Sequence, residues 1–266
     1  MAHNILGQRF YNNRTQPAWH GLGINDENPH SAEEALRRIG LYDVRKFPLE
    51  VKLPDGKHKT GLYQLWREPI AEDPQWVAFG GAVTSDYEVV TPLKAAQTWD
   101  KNVRGLEGEA VAIETLGILG RGEHLFICTE LPKIDVRGDE VAMYLLFNSP
   151  LTPGSSVGVF TTGVRTVCQN TLNAGIARAV ERRTLTHNTG VLKTMGKWLK
   201  GIYQNALEAL HLCQQFVDVA DLPTALGALA VLQEAVRFVD QQHGVLVLGA
   251  LEGFGEVLFG FADVLV

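Results

Sequence analysis

Phe47-Pro48-Leu49-Glu50-Val51-Lys52-Leu53-Pro54-Asp55-Gly56-Lys57 is the stretch on which the reading of the first half of this chain turns. Phe47, Leu49, Val51 and Leu53 alternate with Pro48, Glu50 and Lys52, the period of two expected when one face of a sheet is buried. Pro54-Asp55-Gly56-Lys57 then reads as a turn, because proline presets the first central dihedral and glycine accepts a positive one. A return strand over 59–67 carries Leu62, Tyr63, Leu65 and Trp66, residue types favoured on a pleated surface.

The same logic extends outward from this hairpin. Residues 76–83 form a strand in which Gly80-Gly81 marks a bulge or a close backbone approach. Thr91 caps a helix that Pro92 opens, and Leu93, Ala96, Trp99 and Val103 recur at spacings of three to four. Residues 109–119 and 124–131 flank the turn Gly120-Arg121-Gly122-Glu123 as a second hairpin, and 140–148 and 156–164 supply two more strands.

From Val164 the period changes. Cys168, Leu172, Gly175, Ile176, Ala179 and Val180 predict a helix over 166–182, with a short strand-like link after it at 184–187. Leu192, Met195, Leu199, Ile202, Ala206, Leu210, Cys213 and Phe216 then define a long helix, capped by Asn188 or Thr189 and ending near Ala220. Residues 225–239 read as another helix. The stretch 244–266 is apolar and free of Lys and Arg, but Glu252, Glu256 and Asp263 count against a membrane span and favour a buried or partner-covered helix.

The expected fold class is therefore α+β: an antiparallel β-sheet built from hairpins with an intervening helix, followed by a mainly helical C-terminal part. Three segments are expected. Residues 1–163 are β-rich and open with a Trp-His-Gly loop, 164–220 form a basic helical part packed on the sheet, and 221–266 form an apolar, acidic tail.

A chain of 266 residues that is 45% hydrophobic and 20% charged is neither disordered nor fibrous. Cys128, Cys168 and Cys213 contain no C-x-x-C pair, which excludes a disulfide framework and a Cys-rich zinc site and points to a reducing compartment. Residues 1–16 lack the layout of a secretory signal, so the host-cell cytoplasm is the expected location. The histidines show no metal-binding spacing, and neither a phosphate-binding loop nor a dinucleotide fingerprint is present. No metal and no cofactor are expected.

Charge is segregated along the chain. Residues 1–162 carry 16 basic and 21 acidic side chains, 163–201 carry 7 and 1, and 202–266 carry 1 and 8. A positive surface can therefore exist on a protein whose formal net charge is -6. Lys193, Lys197 and Lys200 step by four and three along one stripe of the expected long helix, in its first half, where cations oppose the macrodipole. Arg178 and Arg182 make a second pair four apart, with Arg165 close by in sequence. Either this is a solvated face paired with acidic residues elsewhere, or it receives an anion.

Two further constellations stand out. Cys168 with His187 and Asn170 has the residue types of a thiol nucleophile, base and orienting amide, yet Cys168 falls on an apolar helix face, where an inert thiol is the ordinary case. Trp19-His20-Gly21-Leu22-Gly23 reads as a tight loop, serving either packing on the sheet or stacking against a ligand or nucleic-acid base.

Three runs together resemble the "phage/plasmid-like protein" family: Pro17-Ala18-Trp19-His20-Gly21-Leu22-Gly23, Thr162-Gly163-Val164-Arg165-Thr166-Val167-Cys168-Gln169-Asn170-Thr171-Leu172, and Leu185-Thr186-His187-Asn188-Thr189. The resemblance covers about residues 1–215 and departs at Asn148-Ser149-Pro150, where that family carries a Ser-His-Asp-Gly-like run. The order of elements is similar to that of single-strand annealing proteins of the RecT, Redβ and Erf type. The resemblance implies a phage or mobile-element DNA-metabolism protein that binds single-stranded DNA as a homo-oligomer, without a membrane and without ATP. Arg165, Arg178, Arg182, Lys193, Lys197 and Lys200 would then meet phosphates, and Trp19 or His20 would stack bases. The alternatives are a self-assembling structural protein and, in third place, a hydrolase using Cys168 and His187.

Overall fold

The computed structural model describes residues 3–26, 30–104, 111–136 and 139–219. The chain opens with β1 (Ile5–Asn12) and a two-residue β2 (Ile24–Asn25), then enters α1 (Ala32–Ile39). Ser31 caps α1 in a reciprocal box with Glu34, which satisfies two of the backbone donors a helix start leaves free. The hairpin expected from residues 47–67 comes next as β3 (Val44–Leu53) and β4 (Gly56–Arg67), with β5 (Val77–Ala78) pairing beside Trp66 and Arg67. Then comes α2 (Pro92–Asn102), capped by the Thr91 hydroxyl with Pro92 at its start, as the sequence indicates.

The second half supplies β6 (Thr115–Leu119), β7 (His124–Glu130), a small hairpin of β8 (Ile134–Val136) and β9 (Asp139–Val141), then β10 (Tyr144–Pro150) and β11 (Ser156–Thr162). It continues with α3 (Gln169–Ala177), β12 (Glu181–Thr186) and the long α4 (Val191–Val219). The main sheet has seven strands in the order β12-β11-β10-β7-β6-β1-β2. All neighbours run antiparallel except β1 and β2, which are parallel, so the sheet is mixed.

The expected fold class needs correcting on both counts. The sheet is not purely antiparallel, and among the described residues the chain after 163 is not a purely helical part packed on the sheet, because it returns between α3 and α4 to supply the edge strand β12. The structure is β-rich, a seven-stranded mixed sheet with two smaller sheets and four helices among the described residues. The helix expected over 166–182 stops at Ala177, and Glu181–Thr186 returns to pair with β11 along its length. Ile176 and Ala179 both pack on the core, one from the helix and one from the link after it, so an apolar spacing that looks helical runs across the helix end. The expected helix at 225–239 and the tail at 244–266 lie outside the described residues.

Alternation divides the main sheet into two buried faces. Phe126, Cys128, Leu146 and Phe160 share one face, covered by Cys168 and Leu172 of the α3 region and by Ala18 of the N-terminal loop. Leu116, Ile127, Leu145, Phe147 and Val159 share the other. On that second side Tyr11 of β1 meets His30 just ahead of α1. Asp100 of α2 accepts from the backbone N–H groups of Ala32 and Glu33, locking α2 to the start of α1. Each buried Leu, Ile or Phe side chain contributes roughly 1.5–3 kcal/mol, which is why β10, buried at all seven positions, sits centrally.

The chain divides into two compact units, one of residues 1–133 with 142–208 and one of 134–141 with 209–266. In the second, the Gln214 side chain accepts from the Asp135 backbone N–H and donates to the Asp135 carbonyl, tying the β8–β9 hairpin to the last turns of α4. No helix among the described residues is long and apolar enough to cross a membrane.

Candidate nucleic-acid interface

The Trp-His-Gly loop and the start of α3, far apart in sequence, meet in space. His20 Nδ1 accepts the Leu22 N–H at 3.1 Å, which leaves the ring proton on Nε2 to donate to the Val167 carbonyl at 3.0 Å. The ring packs edge-on against Phe10 at 4.9 Å between centroids. Burial holds its pKa below the ordinary histidine value, so the imidazole is neutral. Gly23 lies at φ +85, where an added Cβ would lie 2.0 Å from the Phe10 carbonyl oxygen; only glycine fits this close approach. Trp19, by contrast, is 64% exposed, with the His20 ring 5.5 Å and the His3 ring 6.4 Å away. The two roles weighed for this loop are thus divided between neighbours: His20 packs, and Trp19 offers an open aromatic face.

Arg165 has a structural partner. Its Nε donates to Glu114 Oε1 at 2.5 Å, and a terminal nitrogen donates to Asn12 Oδ1. Arg14 donates to the same Glu114 oxygen, also at 2.5 Å, and a terminal nitrogen reaches Glu130 at 3.4 Å. Asn12 is itself held by donating to Asn25 Oδ1 and the Gln16 carbonyl. Glu114 is buried, so its charge demands such compensation. The guanidinium fork of Arg165 therefore joins β1 to the loop before α3, with its charge directed into the fold.

The other basic candidates are exposed but do not share one surface. Arg178 caps the end of α3, whereas Arg182 lies in β12 with its guanidinium over the Phe160 ring at 5.8 Å and hydrogen-bonded to the Ile176 carbonyl. Both belong to the side of the sheet that α3 covers. Lys193, Lys197 and Lys200 lie on the exposed stripe of α4, whose buried stripe is Val191, Met195, Leu199 and Ile202. Gly196 of α4 fits against the Asn102 side chain of α2, and Gln204 donates to the Arg104 carbonyl, which sets these lysines in the layer on the other side of the sheet. Among the described residues none of the three lysines makes an ion pair.

Cys168 and His187 are held by different neighbours. Cys168 stands at the α3 N-cap, 1% exposed, with its sulfur 3.5 Å from the Thr171 hydroxyl. His187 is 2% exposed, stacks on Tyr87 at 4.7 Å and turns its ring nitrogens to the Pro150 and Glu88 carbonyls at 2.7 and 3.3 Å. Burial keeps its pKa below the ordinary value despite those acceptors. No hydrogen bond joins the thiol to the imidazole, and Asn170 is exposed. Among the described residues no group of three or more His, Cys, Asp or Glu side chains is arranged to hold a metal ion.

The sequence reading passed over one basic region. Residues 44–67 contain six Lys or Arg and two Asp or Glu, a local excess hidden when 1–162 is counted as one acidic block. The signal was available from alternation, since Lys52, Lys57 and Lys59 all fall on one face of the hairpin.

Fold and site together define a mixed-sheet protein with helices on both faces, exposed lysine rows and a buried arginine–carboxylate cluster. Residues 80–215, about half of the chain, match the family described as a domain of unknown function, DUF932, and the chain belongs to that family. The matched part runs from just after β5 into α4 and includes the Arg165 and His187 runs, while the Trp-His-Gly loop and the β3–β4 hairpin precede it. No curated protein and no solved structure matches the chain.

Proposed function

We propose that this protein binds single-stranded DNA as a homo-oligomer, without a cofactor, and promotes annealing in the DNA metabolism of a phage or plasmid. The observation that carries the reading is the row Lys193, Lys197 and Lys200, solvent-exposed on α4 and without ion pairs among the described residues. Three cations in the first half of a helix oppose its dipole, at a cost of a few tenths of a kcal/mol each, so they do not serve the helix itself. A row of phosphates neutralises them. On the side of the sheet that α3 covers, away from this row, Trp19 with its open ring supplies a separate surface on which a base stacks.

The test is fluorescence anisotropy of a labelled oligo-dT at about 50 and about 200 mM salt. Each phosphate contact to a single strand contributes about 0.7 to the log–log salt slope, so the three lysines predict a slope about 2 shallower in the Lys193→Gln/Lys197→Gln/Lys200→Gln variant. Equal affinity and equal slope in the wild type and this variant would overturn the assignment to α4. A second reading, a self-assembling structural protein, draws on the exposed apolar side chains Val51, Leu53 and Leu62. A chain that sediments as an oligomer and binds no DNA would favour it.

A further inference from the structure

The β3–β4 hairpin extends well beyond what the core requires. From Glu50 through Leu62 every residue except Gly56 is exposed, whereas the base is anchored by buried Val44, Leu65 and Arg67. The cross-strand register pairs Glu50 with Lys59, Val51 with His58, Lys52 with Lys57 and Leu53 with Gly56. Alternation therefore sorts the outer hairpin into a face of Glu50, Lys52, Lys57 and Lys59 and a face of Val51, Leu53 and His58. Lys52 and Lys57 stand directly opposite each other. Like charges in that position are destabilising, and no carboxylate among the described residues pairs with either. Asp55, the other acid of the outer hairpin, is engaged by His58 at 2.8 Å.

An isolated two-stranded ribbon is marginally stable in water, so an exposed one bearing an uncompensated lysine pair calls for a partner that supplies negative charge. We propose that this hairpin is a second nucleic-acid contact, in which Lys52, Lys57 and Lys59 hold the phosphodiester backbone of a bound single strand. The inference rests on the single-strand-binding reading and adds to it a separate element, outside the part of the chain that matches the family. A second copy of the hairpin fits this face poorly. Lysines on both strands repel an identical edge and block strand-to-strand addition. At the base of the hairpin, Phe47 and Trp76 form an exposed T-shaped pair at 5.7 Å with the Arg45 guanidinium 6.0 Å from the indole, aromatic and cationic surface of the kind on which bases stack.

The experiment compares oligo-dT binding by the full chain, by Lys52→Gln/Lys57→Gln/Lys59→Gln, by the corresponding three-arginine variant, and by the α4 triple variant. The expected result is that the hairpin Gln variant loses about tenfold or more in affinity at about 50 mM salt and about 2 in the log–log slope, while the arginine variant binds as the wild type does. A wild type that binds, together with a hairpin Gln variant of unchanged affinity and slope, overturns the hairpin assignment and leaves the α4 reading intact. Loss of binding in both the Gln and the Arg hairpin variants overturns it too, because charge would then not be the cause. A wild type that binds no single strand removes both readings. Duplex of the same length serves as the comparison: preference for duplex over the single strand overturns the proposed partner.

Discussion

Two sets of cations in this protein use the same formal charge in opposite ways. Where β1, β6 and the loop before α3 meet, Arg14 and Arg165 converge on one buried carboxylate, Glu114, at 2.5 Å each. On α4 and on the outer β3–β4 hairpin, six lysines face outward and form no ion pair among the described residues. The guanidinium is a planar, weakly hydrated fork that can be buried against carboxylate and carbonyl oxygens; the ammonium is a compact, strongly hydrated charge that stays in water. Arg67 shows the first behaviour most fully: it is 0% exposed and donates to the Arg121 and Glu68 carbonyls and to Asp73. Counting charge along the chain treats these groups alike, although one set holds the fold and the other remains available to a partner.

The contrast can be broken from either side. The largest expected effect is on stability: Arg67→Met leaves two carbonyls and a carboxylate without their donor and should cost about 3–4 kcal/mol in urea unfolding. A loss below about 1 kcal/mol would mean that the inward arginines are not structural. Glu114→Gln comes next, at about 2–3 kcal/mol, discounted because Arg14 is 44% exposed at its side chain. Freed of their carboxylate, Arg14 and Arg165 should raise affinity for oligo-dT rather than lower it.

An intermediate effect is expected from pH. Burial holds the pKa values of His20, His124 and His187 below their ordinary value near 6.5. In the unfolded chain these rings take up protons as pH falls through about 6.5, while in the folded chain they do not, so acid favours the unfolded state. The melting temperature should therefore be lower at about pH 5.5 than at about pH 7.5, and His187→Gln should shrink that difference. A flat profile between those two pH values would contradict the burial of the three rings. The smallest effect belongs to the lysines: the α4 triple Gln variant should change stability by no more than about 0.5 kcal/mol, and relieving the Lys52–Lys57 pair should stabilise the hairpin by a few tenths. Large destabilisation by either would turn the outward lysines into structural groups and dissolve the contrast.

Legibility in the sequence depended on how local the cause was. The β3–β4 hairpin, the Thr91-Pro92 helix start and the apolar stripe of α4 were readable because alternation, capping and periodicity are properties of adjacent residues, but the buried face expected from that alternation was not found, since Phe47, Val51 and Leu53 are exposed. The strand β12 was legible only in its second half, as the strand-like link at 184–187. Arg182 and Arg183 give Glu181–Thr186 little apolar character, and its pairing with β11 depends on a sheet edge built from distant segments. The parallel pairing of β1 with β2 rests on two residues, Ile24 and Asn25, too few to leave a pattern. At the candidate interface, periodicity placed Lys193, Lys197 and Lys200 correctly on the exposed stripe. It had no means of seeing that Arg165 would meet a carboxylate 51 residues earlier in the chain. Arg178 and Arg182, four apart, looked like one helix stripe but sit on a helix end and a strand.

The sequence by itself determined where the chain turns, which residues alternate or recur every three to four, and how charge is apportioned, because each of these depends on neighbours a few bonds away. Only the tertiary structure decided the mixed order of the seven strands, the union of the Trp19–His20 loop with the start of α3, and which cations pair within the fold, as Arg67 and Arg165 do, and which stay outward without an ion pair, as Lys193, Lys197 and Lys200 do. Those outcomes turn on which distant groups share a low-dielectric interior, where an unpaired charge is too costly to remain and a paired one is held.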